Sequence, residues 1–348
     1  MLVVDIEKSI GDFTLDVCFE TEDTVLSLLG CSGSGKSMAL KCIAGIEKPD
    51  RGRIVLNNRV LFDSEKGINL SPQKRKVGYL FQQYALFPDM SVMENIEVAL
   101  HQLPKDERKA AAIEKLREFR IEHIKDKKPF EISGGEQQRV ALARIIANDP
   151  EILLLDEPFS SLDSYVKWQL LADMKTMLEN FKKDVVFVTH SIDEVIGLSD
   201  KICVLNNGKS EPVTYIEEAM KRPQTVSTAK LFGCKNYSKA ELMGDAVLCS
   251  DWNTKLQIKA AEKTSDKALY IGVFSQDIEL KTDDYDGENL IRCTVSQVVK
   301  TETTENVILR ICDTDSLLCA SVPTGETINI DDHIKAYIPT EKLLLLEE

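Results

Sequence analysis

The sequence lacks several features, each of which would assign it to a different class of protein. No apolar run approaches the roughly 20 residues that a membrane-spanning helix needs, and no basic leader followed by an apolar stretch opens the chain. Asp and Glu outnumber Lys and Arg by 57 to 43, and the net charge of -14 argues against a large nucleic-acid-binding surface. The nine cysteines include no C-x-x-C pair, which argues against a disulfide framework or a zinc site. We therefore expect a cytosolic protein with reduced thiols and no nucleic-acid partner.

The chain is long for a single hydrophobic core. It has 348 residues, of which 43% are hydrophobic, so two domains are expected. Up to residue 231, apolar strands alternate with amphipathic helices, an order that predicts an α/β fold with a mostly parallel sheet. The helices are predicted at 105–120, 137–148 and 164–183, and a β-hairpin that turns at Asn57 and Asn58 is predicted within 52–63.

The character of the sequence changes after about residue 231. Short β-rich segments are separated by turn residues, which predicts a small all-β domain, a barrel or a sandwich. The segments are 268–273, 290–299, 307–312, 317–322 and 333–338. We place the two domains at 1–231 and 232–348.

One octet indicates the chemistry. Residues 30–37 read G-C-S-G-S-G-K-S and fit G-x-x-x-x-G-K-[ST], a loop whose backbone N–H groups surround nucleotide phosphates. An apolar run precedes the loop and a helix-permissive run follows it, which is the strand, loop and helix context that the motif needs. Lys36 is expected to reach the β- and γ-phosphates and Ser37 to bind Mg²⁺. The predicted phosphate-binding residues are Gly30, Cys31, Ser32, Gly33, Ser34, Gly35, Lys36 and Ser37.

Polar residues follow other apolar strands further along the chain. Asp156 and Glu157 end the run 152–155, and His190 follows the run 185–188. Ligands of parallel sheets bind at the carboxyl ends of the strands, so these side chains are candidates to hold a metal or activate water. Taken singly, each is also compatible with an ordinary strand end.

A glycine pair before a helix supplies the decisive resemblance. Residues 132–137 read I-S-G-G-E-Q and Q-R-V-A-L-A-R follows, with the spacing of a capping box between Ser133 and Glu136. The segment resembles the signature motif of ATP-binding cassette (ABC) proteins, with Ile132 in place of the usual leucine and Glu136 in place of the usual glutamine. The resemblance extends over residues 2–231 and implies a P-loop ATPase domain with an antiparallel β subdomain and a helical subdomain.

The resemblance also implies a mechanism. Two copies would pair head to tail, so that the phosphate loop of one and Ser133, Gly134 and Gly135 of the other enclose each ATP. Glu157 would polarise the attacking water and His190 would contact the γ-phosphate, while Asp156 would hold Mg²⁺ mainly through water.

The remaining site residues come from the same resemblance. Gln82 matches a residue that contacts the metal or the attacking water and relays to the membrane subunit, and Asp163 matches the loop that crosses the dimer. Phe13 matches the aromatic residue that stacks on adenine, and packing of its ring in the core is an equal alternative.

The cargo and partners are also inferred from resemblance. Residues 52–79 resemble the ATPase subunit of molybdate importers more closely than those of sulfate, polyamine or maltose importers. This implies a peripheral homodimer at the cytoplasmic face of the inner membrane, a dimeric integral-membrane permease and, indirectly, an extracytoplasmic substrate-binding protein. The apolar segment 84–88 is the candidate groove for a permease helix, with ordinary core as the alternative.

The end of the chain resembles the regulatory domain appended to such ATPases, an OB-like fold that can bind the oxyanion. The usual serine and lysine positions of that site are not evident in 289–300. Other importers, for sulfate or thiosulfate, tungstate or polyamines, remain alternatives. A soluble ABC ATPase without a transport role and an oxyanion-binding module with a degenerate ATPase also remain open.

Overall fold

The structure is a computed structural model that describes residues 1–160, 164–258, 269–282, 284–301, 303–325 and 328–348. The chain forms two compact units, Met1–Ile216 and Glu217–Glu348.

The first unit combines a large sheet with helices. Its strands are β1 (Leu2–Ile10), β2 (Phe13–Thr21), β3 (Val25–Leu29), β4 (Arg51–Leu56), β5 (Arg59–Asp63), β6 (Ile68–Asn69), β7 (Val77–Leu80), β8 (Ile152–Asp156), β9 (Val185–Thr189), β10 (Lys201–Asn206), β11 (Lys209–Ser210) and β12 (Thr214–Tyr215). Its helices are α1 (Lys36–Ala44), α2 (Pro72–Arg75), α3 (Val92–Glu97), α4 (Lys105–Glu118), α5 (Gly134–Ala147), α6 (Ser164–Phe181) and α7 (Ile192–Leu198).

The sheet of the first unit has a parallel part and an antiparallel part. Strands β10, β3, β9, β8 and β7 lie side by side and parallel, while β5, β4, β1 and β2 pair antiparallel. Every residue of β8 and β9 is buried, as expected for strands covered on both faces. In β2 buried and exposed residues alternate from Leu15 onward, as expected when one face meets solvent. The predicted α/β fold is confirmed; the sheet is parallel around the phosphate loop, and the rest of it is largely the antiparallel subdomain that the resemblance implied, so the sheet as a whole is not mostly parallel.

The predicted hairpin is present between β4 and β5. Asn57 and Asn58 have φ angles of 48° and 63°, the left-handed conformation that a two-residue type I′ turn requires at both positions. Helices α3, α4 and α5 share a separate apolar core, in which Ile96, Leu116 and Val140 are fully buried. This is the helical subdomain that the resemblance implied.

The second unit is built mainly from strands. Two short helices come first, α8 (Ile216–Lys221), which starts at the division, and α9 (Val226–Leu231). The strands are β13 (Asn236–Met243), β14 (Ala246–Cys249), β15 (Thr254–Gln257), β16 (Leu269–Val273), β17 (Glu279–Lys281), β18 (Leu290–Lys300), β19 (Thr304–Ile311), β20 (Leu317–Pro323), β21 (His333–Tyr337) and β22 (Leu344–Glu347). They form two five-stranded sheets in the orders β15-β14-β13-β16-β22 and β17-β21-β18-β19-β20.

The all-β character of the end of the chain is confirmed, and the sequence pattern missed part of it. The five predicted segments correspond to β16, β18, β19, β20 and β21. Strands β13 to β15, β17 and β22 were not predicted; in β13 the buried positions include Asn236 and Ser238, which read as loop residues. The Asn236 carboxamide donates to the carbonyls of Val273 and Cys319 at 3.2 and 2.9 Å, which satisfies it inside the fold.

The compact units divide before the predicted domain boundary at 231. Helix α9 belongs to the second unit, because Ala229 is buried there in a cluster with Cys234, Phe274 and Leu346. The residues between 216 and 231 therefore pack with the β-rich end of the chain.

Candidate functional site

The phosphate loop joins the end of β3 to the start of α1. Gly35 directly precedes the helix with φ of 100°, a conformation that residues with a Cβ rarely adopt. Gly30 is constrained by space, because a Cβ there would lie 2.3 Å from the carbonyl oxygen of Leu205. The loop therefore keeps its backbone close to its neighbours and leaves its N–H groups at a helix N-terminus.

Lys36 lies inside this loop. Its side-chain Nζ donates to the carbonyl oxygens of Gly30 and Cys31, both at 2.8 Å, and the residue is only 5% exposed. Burial lowers the pKa of this ammonium, and the nearby carboxylates of Glu157 and Asp156 oppose that effect. The loop thus encloses one cation, the group that the sequence assigned to the β- and γ-phosphates.

Ser37 and the end of β8 form a pair of hard oxygen ligands. The Ser37 hydroxyl donates to Asp156 Oδ1 at 2.6 Å, and the Tyr79 hydroxyl donates to Asp156 Oδ2 at 2.8 Å. Burial and the Asp156 carboxylate raise the pKa of Tyr79, so this phenol stays protonated and keeps its donor role. Hydroxyl and carboxylate oxygens suit Mg²⁺, so these residues fit the predicted metal.

Glu157 lies at the centre of a second group of side chains. Its backbone takes a φ of 46°, and its N–H donates to the carbonyl of Val188 on β9 at 3.1 Å. Gln82 Nε2 donates to Glu157 Oε2 at 3.3 Å, and His190 Nδ1 lies 3.8 Å from Glu157 Oε1. The structure therefore brings together the three residues predicted to be catalytic. In this arrangement Gln82 contacts Glu157 and Ser160 and makes no hydrogen bond to Ser37 or Asp156 among the described residues.

All of these groups lie at the carboxyl ends of adjacent parallel strands. Gly30 follows β3, Gln82 follows β7, Glu157 follows β8 and His190 follows β9. The site is therefore created by the topology of the sheet, as the order of strands and helices predicted.

An ion pair with a buried carboxylate, close to the loop of His190, was not predicted from the sequence. Glu194, in the first turn of α7, is 4% exposed, and its Oε1 lies 2.6 Å from Lys167 Nζ on α6. Its Oε2 accepts a hydrogen bond from the hydroxyl of Thr189, the residue before His190. The network connects α6 to the loop that carries His190. Tyr79 and Ser160 were missed as well: Tyr79 ends the segment 52–79 and Ser160 opens the S-S-L-D motif of Asp163, but neither residue was assigned a role.

The signature segment forms the N-terminus of α5. Ser133 caps the helix: its hydroxyl accepts from the N–H of Glu136 at 3.4 Å, and the Glu136 carboxylate accepts from the Ser133 N–H at 2.8 Å. This is the predicted capping box, and it leaves Ser133 and Gly134 exposed. Among the described residues, Ser133, Gly134 and Gly135 make no hydrogen bond to the cluster around Lys36 and Glu157. In one copy of the chain no described hydrogen bond therefore joins the two parts of the predicted ATP site.

Phe13 and Asp163 are the remaining predicted site residues. The Phe13 ring packs on the core and on the phosphate loop, since a Cβ on either Gly35 or Gly208 would lie 3.1 Å from its Cζ. This position is compatible with both interpretations of Phe13, adenine stacking and core packing. Asp163 lies outside the described residues.

Two features are absent from the described part of the chain. No helix there is long and apolar enough to cross a membrane. Nor does any group of three or more His, Cys, Asp or Glu side chains there have the arrangement of a metal site.

Comparison with known proteins gives consistent relatives. The family described as ABC transporter matches residues 15–160. A molybdenum import ATP-binding protein of Rhodospirillum rubrum is 37% identical over 223 residues, which are 64% of this chain and 60% of that protein. A molybdate/tungstate import ATP-binding protein of Thermococcus kodakarensis is 37% identical over 284 residues, which are 80% of this chain and 83% of that protein. A sulfate/thiosulfate import ATP-binding protein of a Synechocystis species is 38% identical over 228 residues, 64% of this chain and 62% of that protein.

The solved structures agree on the fold. A dimeric, post-hydrolysis state of an ATP-binding cassette bound to ADP and phosphate matches with a TM-score of 0.53 at 30% identity, covering 62% of this chain and 99% of that one. The chain covers less than two thirds of the length of the first relative named above, the molybdenum import protein.

Proposed function

The chain belongs to the ATP-binding cassette family of transporter ATPases, and on that premise we propose that it is the ATP-hydrolysing subunit of an oxyanion importer. One observation carries the proposal: Lys36, Ser37, Asp156, Glu157 and His190 meet at the carboxyl edge of one parallel sheet. Hydrolysis of a nucleoside triphosphate needs three kinds of group, and all are present here. They are a cation enclosed by a phosphate loop, a hydroxyl–carboxylate pair that can hold a metal, and a carboxylate near an imidazole.

Each group has a role in this proposal. The loop N–H groups and Lys36 bind the β- and γ-phosphates, and Ser37 with Asp156 holds Mg²⁺, which neutralises phosphate charge when bound. Glu157 accepts the proton of the water that attacks the γ-phosphorus, and the bond to the bridging β-phosphate oxygen breaks to release ADP and phosphate. Gln82 and His190, both next to the Glu157 carboxylate, orient that water and the γ-phosphate.

A second copy of the chain completes the site. Ser133, Gly134 and Gly135 lie at an exposed helix N-terminus, a suitable anion ligand. In the proposed homodimer this segment of one copy closes over the nucleotide of the other, and hydrolysis separates the copies.

The surface next to Gln82 is proposed to receive a permease helix. In the segment 84–88, Tyr84 is buried and Phe87 is 43% exposed, so the segment is part core and part surface. The Arg144 guanidinium lies 5.3 Å from the centre of the Phe87 ring and makes a cation–π contact with it. The Phe81 side chain is also exposed. Two exposed aromatic rings close in sequence to a predicted catalytic residue suit a contact that transmits nucleotide state to a membrane subunit. The proposed location is therefore peripheral, at the cytoplasmic face of the inner membrane.

Molybdate is the proposed cargo, with tungstate, sulfate or thiosulfate, and polyamine uptake as alternatives. Support comes from the segment 52–79 and from the molybdenum and molybdate/tungstate import proteins among the relatives. The sulfate/thiosulfate relative is equally identical over a similar length, so the ATPase sequence separates these oxyanions weakly. Binding of the oxyanion by the β-rich second unit is a further part of the proposal, as is an extracytoplasmic substrate-binding protein upstream of the permease.

The ATPase is tested with Glu157→Gln. This variant keeps the shape of the side chain and cannot accept the proton, so turnover should fall at least about 100-fold while ATP binding persists. The matched control is Glu114→Gln, an exposed residue of α4 whose loss should leave turnover unchanged. Turnover of Glu157→Gln at the parent rate would contradict the assignment of the base.

The cargo is tested by uptake in a strain from which the gene has been deleted. We expect loss of molybdate uptake at low external molybdate and rescue by excess molybdate. Rescue by sulfate or polyamine alone would overturn the molybdate assignment. Calorimetric titration of the full chain with molybdate tests the second unit, and absence of heat at millimolar anion would remove its sensing role.

A further inference from the structure

A cleft of about 490 Å³ lies between helices α4, α5 and α6, and no residue of the predicted nucleotide site lines it. Its volume is within the usual range of small-molecule sites. Its walls are largely apolar and include Phe119, Leu142, Ile146, Leu170, Met174 and Met177. An apolar molecule in the cleft would remove this surface from water.

The charges around the cleft favour an anion. Three of the four cations on its walls are paired with carboxylates that also line it, and the fourth, Arg120, has no carboxylate within 4 Å among the described residues. The pairs are Lys115–Glu118, Arg139–Asp173 and Lys183–Asp149. Arg120 therefore leaves the lining with a single positive charge in excess, which one carboxylate would balance.

A second polar group in the wall needs a partner. Gln138 on α5 is 1% exposed and lines the cleft, and neither Nε2 nor Oε1 of its carboxamide has a hydrogen-bond partner among the described residues. A buried carboxamide without partners is costly, because it has lost its bonds to water. Both atoms are covered by protein, so the Gln138 side chain would turn toward the cleft to let the carbonyl oxygen of a ligand amide accept from Nε2.

We propose that the cleft binds a small amphipathic acid of the N-acyl amino acid type. The acyl chain lies against the apolar walls, the amide carbonyl accepts from Gln138 Nε2 and the carboxylate pairs with Arg120. Each feature of the ligand corresponds to one feature of the cleft, whereas a neutral apolar molecule would leave both Gln138 and Arg120 unpaired.

The cleft also adjoins the signature segment. Leu170 lines the cleft and packs on Gly135, since a Cβ on that glycine would lie 3.1 Å from Leu170 Cδ1. A bound acid holds Leu170 against Gly135 and restrains the segment that closes over nucleotide, so it slows ATP hydrolysis. The slowing of ATP hydrolysis rests on the proposed function, whereas binding of the acid to the cleft does not.

Binding is measured on the full chain carrying ¹³C-methyl methionine, with N-octanoylglycine as the probe. We expect the probe to shift the methyl signals of Met174 and Met177, with the other methionines as internal references. Arg120→Gln should weaken binding about tenfold, the effect of losing one charge-assisted hydrogen bond. The matched control is Lys175→Gln, which removes the same charge from an exposed position of α6 outside the cleft and should bind like the parent.

Two further measurements test whether the probe occupies the cleft. Thr176→Trp places a bulky ring in the cleft from an exposed helix position and should abolish the shifts while the rest of the spectrum is retained. The methyl ester of the probe, which lacks the charge, should bind as weakly as the acid binds to Arg120→Gln. The proposal is overturned if millimolar acid shifts neither methyl signal, or if the ester or the Arg120→Gln chain binds with parent affinity.

The effect on hydrolysis is measured separately. Saturating probe should lower ATP turnover about fivefold in the parent chain, at the low end of usual coupling between sites, and leave Thr176→Trp unaffected. Methyl shifts without a change in turnover would overturn the effector role and support the binding site. A chain that hydrolyses no ATP with or without probe would contradict the proposed function. The methyl titration would still show whether the cleft binds the acid.

Discussion

The Ser37 hydroxyl donates a 2.6 Å hydrogen bond to Asp156 Oδ1, although the two residues are 119 positions apart in the chain. Ser37 is in the first turn of α1 and Asp156 is the last residue of β8, so the bond ties the phosphate loop to the neighbouring strand end. Tyr79 occupies the other carboxylate oxygen. Asp156 is therefore positioned from both sides before any metal binds.

Asp156→Asn tests this arrangement. The amide can still accept from Ser37 or Tyr79, but it carries no charge to attract Mg²⁺, so the Mg²⁺ concentration for half-maximal turnover should rise about 10- to 100-fold. Turnover against free Mg²⁺ is the measurement. Asp126→Asn, an exposed position, is the control and should follow the parent curve. An unchanged Mg²⁺ requirement in Asp156→Asn would remove Asp156 from the metal site.

The Lys167–Glu194 pair is expected to position His190. Glu194→Gln weakens the bonds to Lys167 and Thr189, so turnover should fall about tenfold while KM for ATP changes little. Lys167→Met should do the same, and the double variant should lose much less than the product of the two single losses, because both act through one contact. Glu179→Gln, on the exposed face of α6, is the control. Multiplicative losses in the double variant would mean that the two residues act separately.

Arg75 is a buried structural residue that the sequence did not reveal. Its guanidinium donates to the carbonyls of Leu70, Cys42 and Ile43 and to the side chain of Asn69, and the residue is 0% exposed. Two of these carbonyls belong to the last turn of α1, which carries Ser37 at its other end. Burial lowers the pKa of Arg75, and the four hydrogen bonds use its planar fork.

Arg75→Lys should therefore destabilise the first unit. A single ammonium cannot reach all four acceptors, so the free energy of unfolding should fall by about 3 kcal/mol. Urea denaturation followed by circular dichroism gives the change in midpoint. The control is Arg51→Lys, a residue at an exposed strand position, which should unfold at the parent midpoint. An equal midpoint for both variants would show that the fork is dispensable.

Features of the fold and site that depend on neighbouring residues could be predicted from the sequence, whereas contacts between distant residues could not. Strands β8 and β9 are continuous apolar runs ended by Asp156 and His190, so both strands and candidate residues could be identified from a few neighbouring letters. The Asn57–Asn58 turn is equally local. Glu194 and Arg75 act through partners far away in the chain, Lys167 and the carbonyls of α1, and no short pattern marks such contacts.

The capping box of the signature helix gives a pH dependence. The hydrogen bond from the Ser133 backbone N–H lowers the pKa of Glu136 below its ordinary value of 4.5, with smaller contributions from the Ser133 hydroxyl and His123. Because the folded-state pKa lies below that of the unfolded chain, the stability from this carboxylate is fully present above about pH 4.5 and is lost as the pH falls through the folded-state pKa.

Glu136→Gln isolates that contribution. Glutamine can accept from the Ser133 N–H but has no charge near the helix N-terminus, so it should cost about 0.5 kcal/mol at pH 7 and almost nothing at low pH. Urea midpoints of the two proteins, measured between pH 3 and 7, should therefore converge at the acid end. A difference in urea midpoint that stays constant across that pH range would mean that the stability lost in Glu136→Gln comes from the shape of the side chain and not from its charge.

Cys31 is expected to be the thiol that reports nucleotide binding. Cys31 and Cys312 are exposed, whereas Cys42 and Cys203 are buried, and burial raises the pKa of these two thiols to about 12. In the native chain iodoacetamide should therefore alkylate Cys31 and Cys312 well before Cys42 and Cys203, as peptide mass spectrometry would show. MgATP at about ten times its Kd should slow alkylation of Cys31 about tenfold, because the phosphates cover the loop, and leave the rate at Cys312 unchanged. Equal rates at Cys31 with and without MgATP would mean that nucleotide does not occupy the loop 30–37.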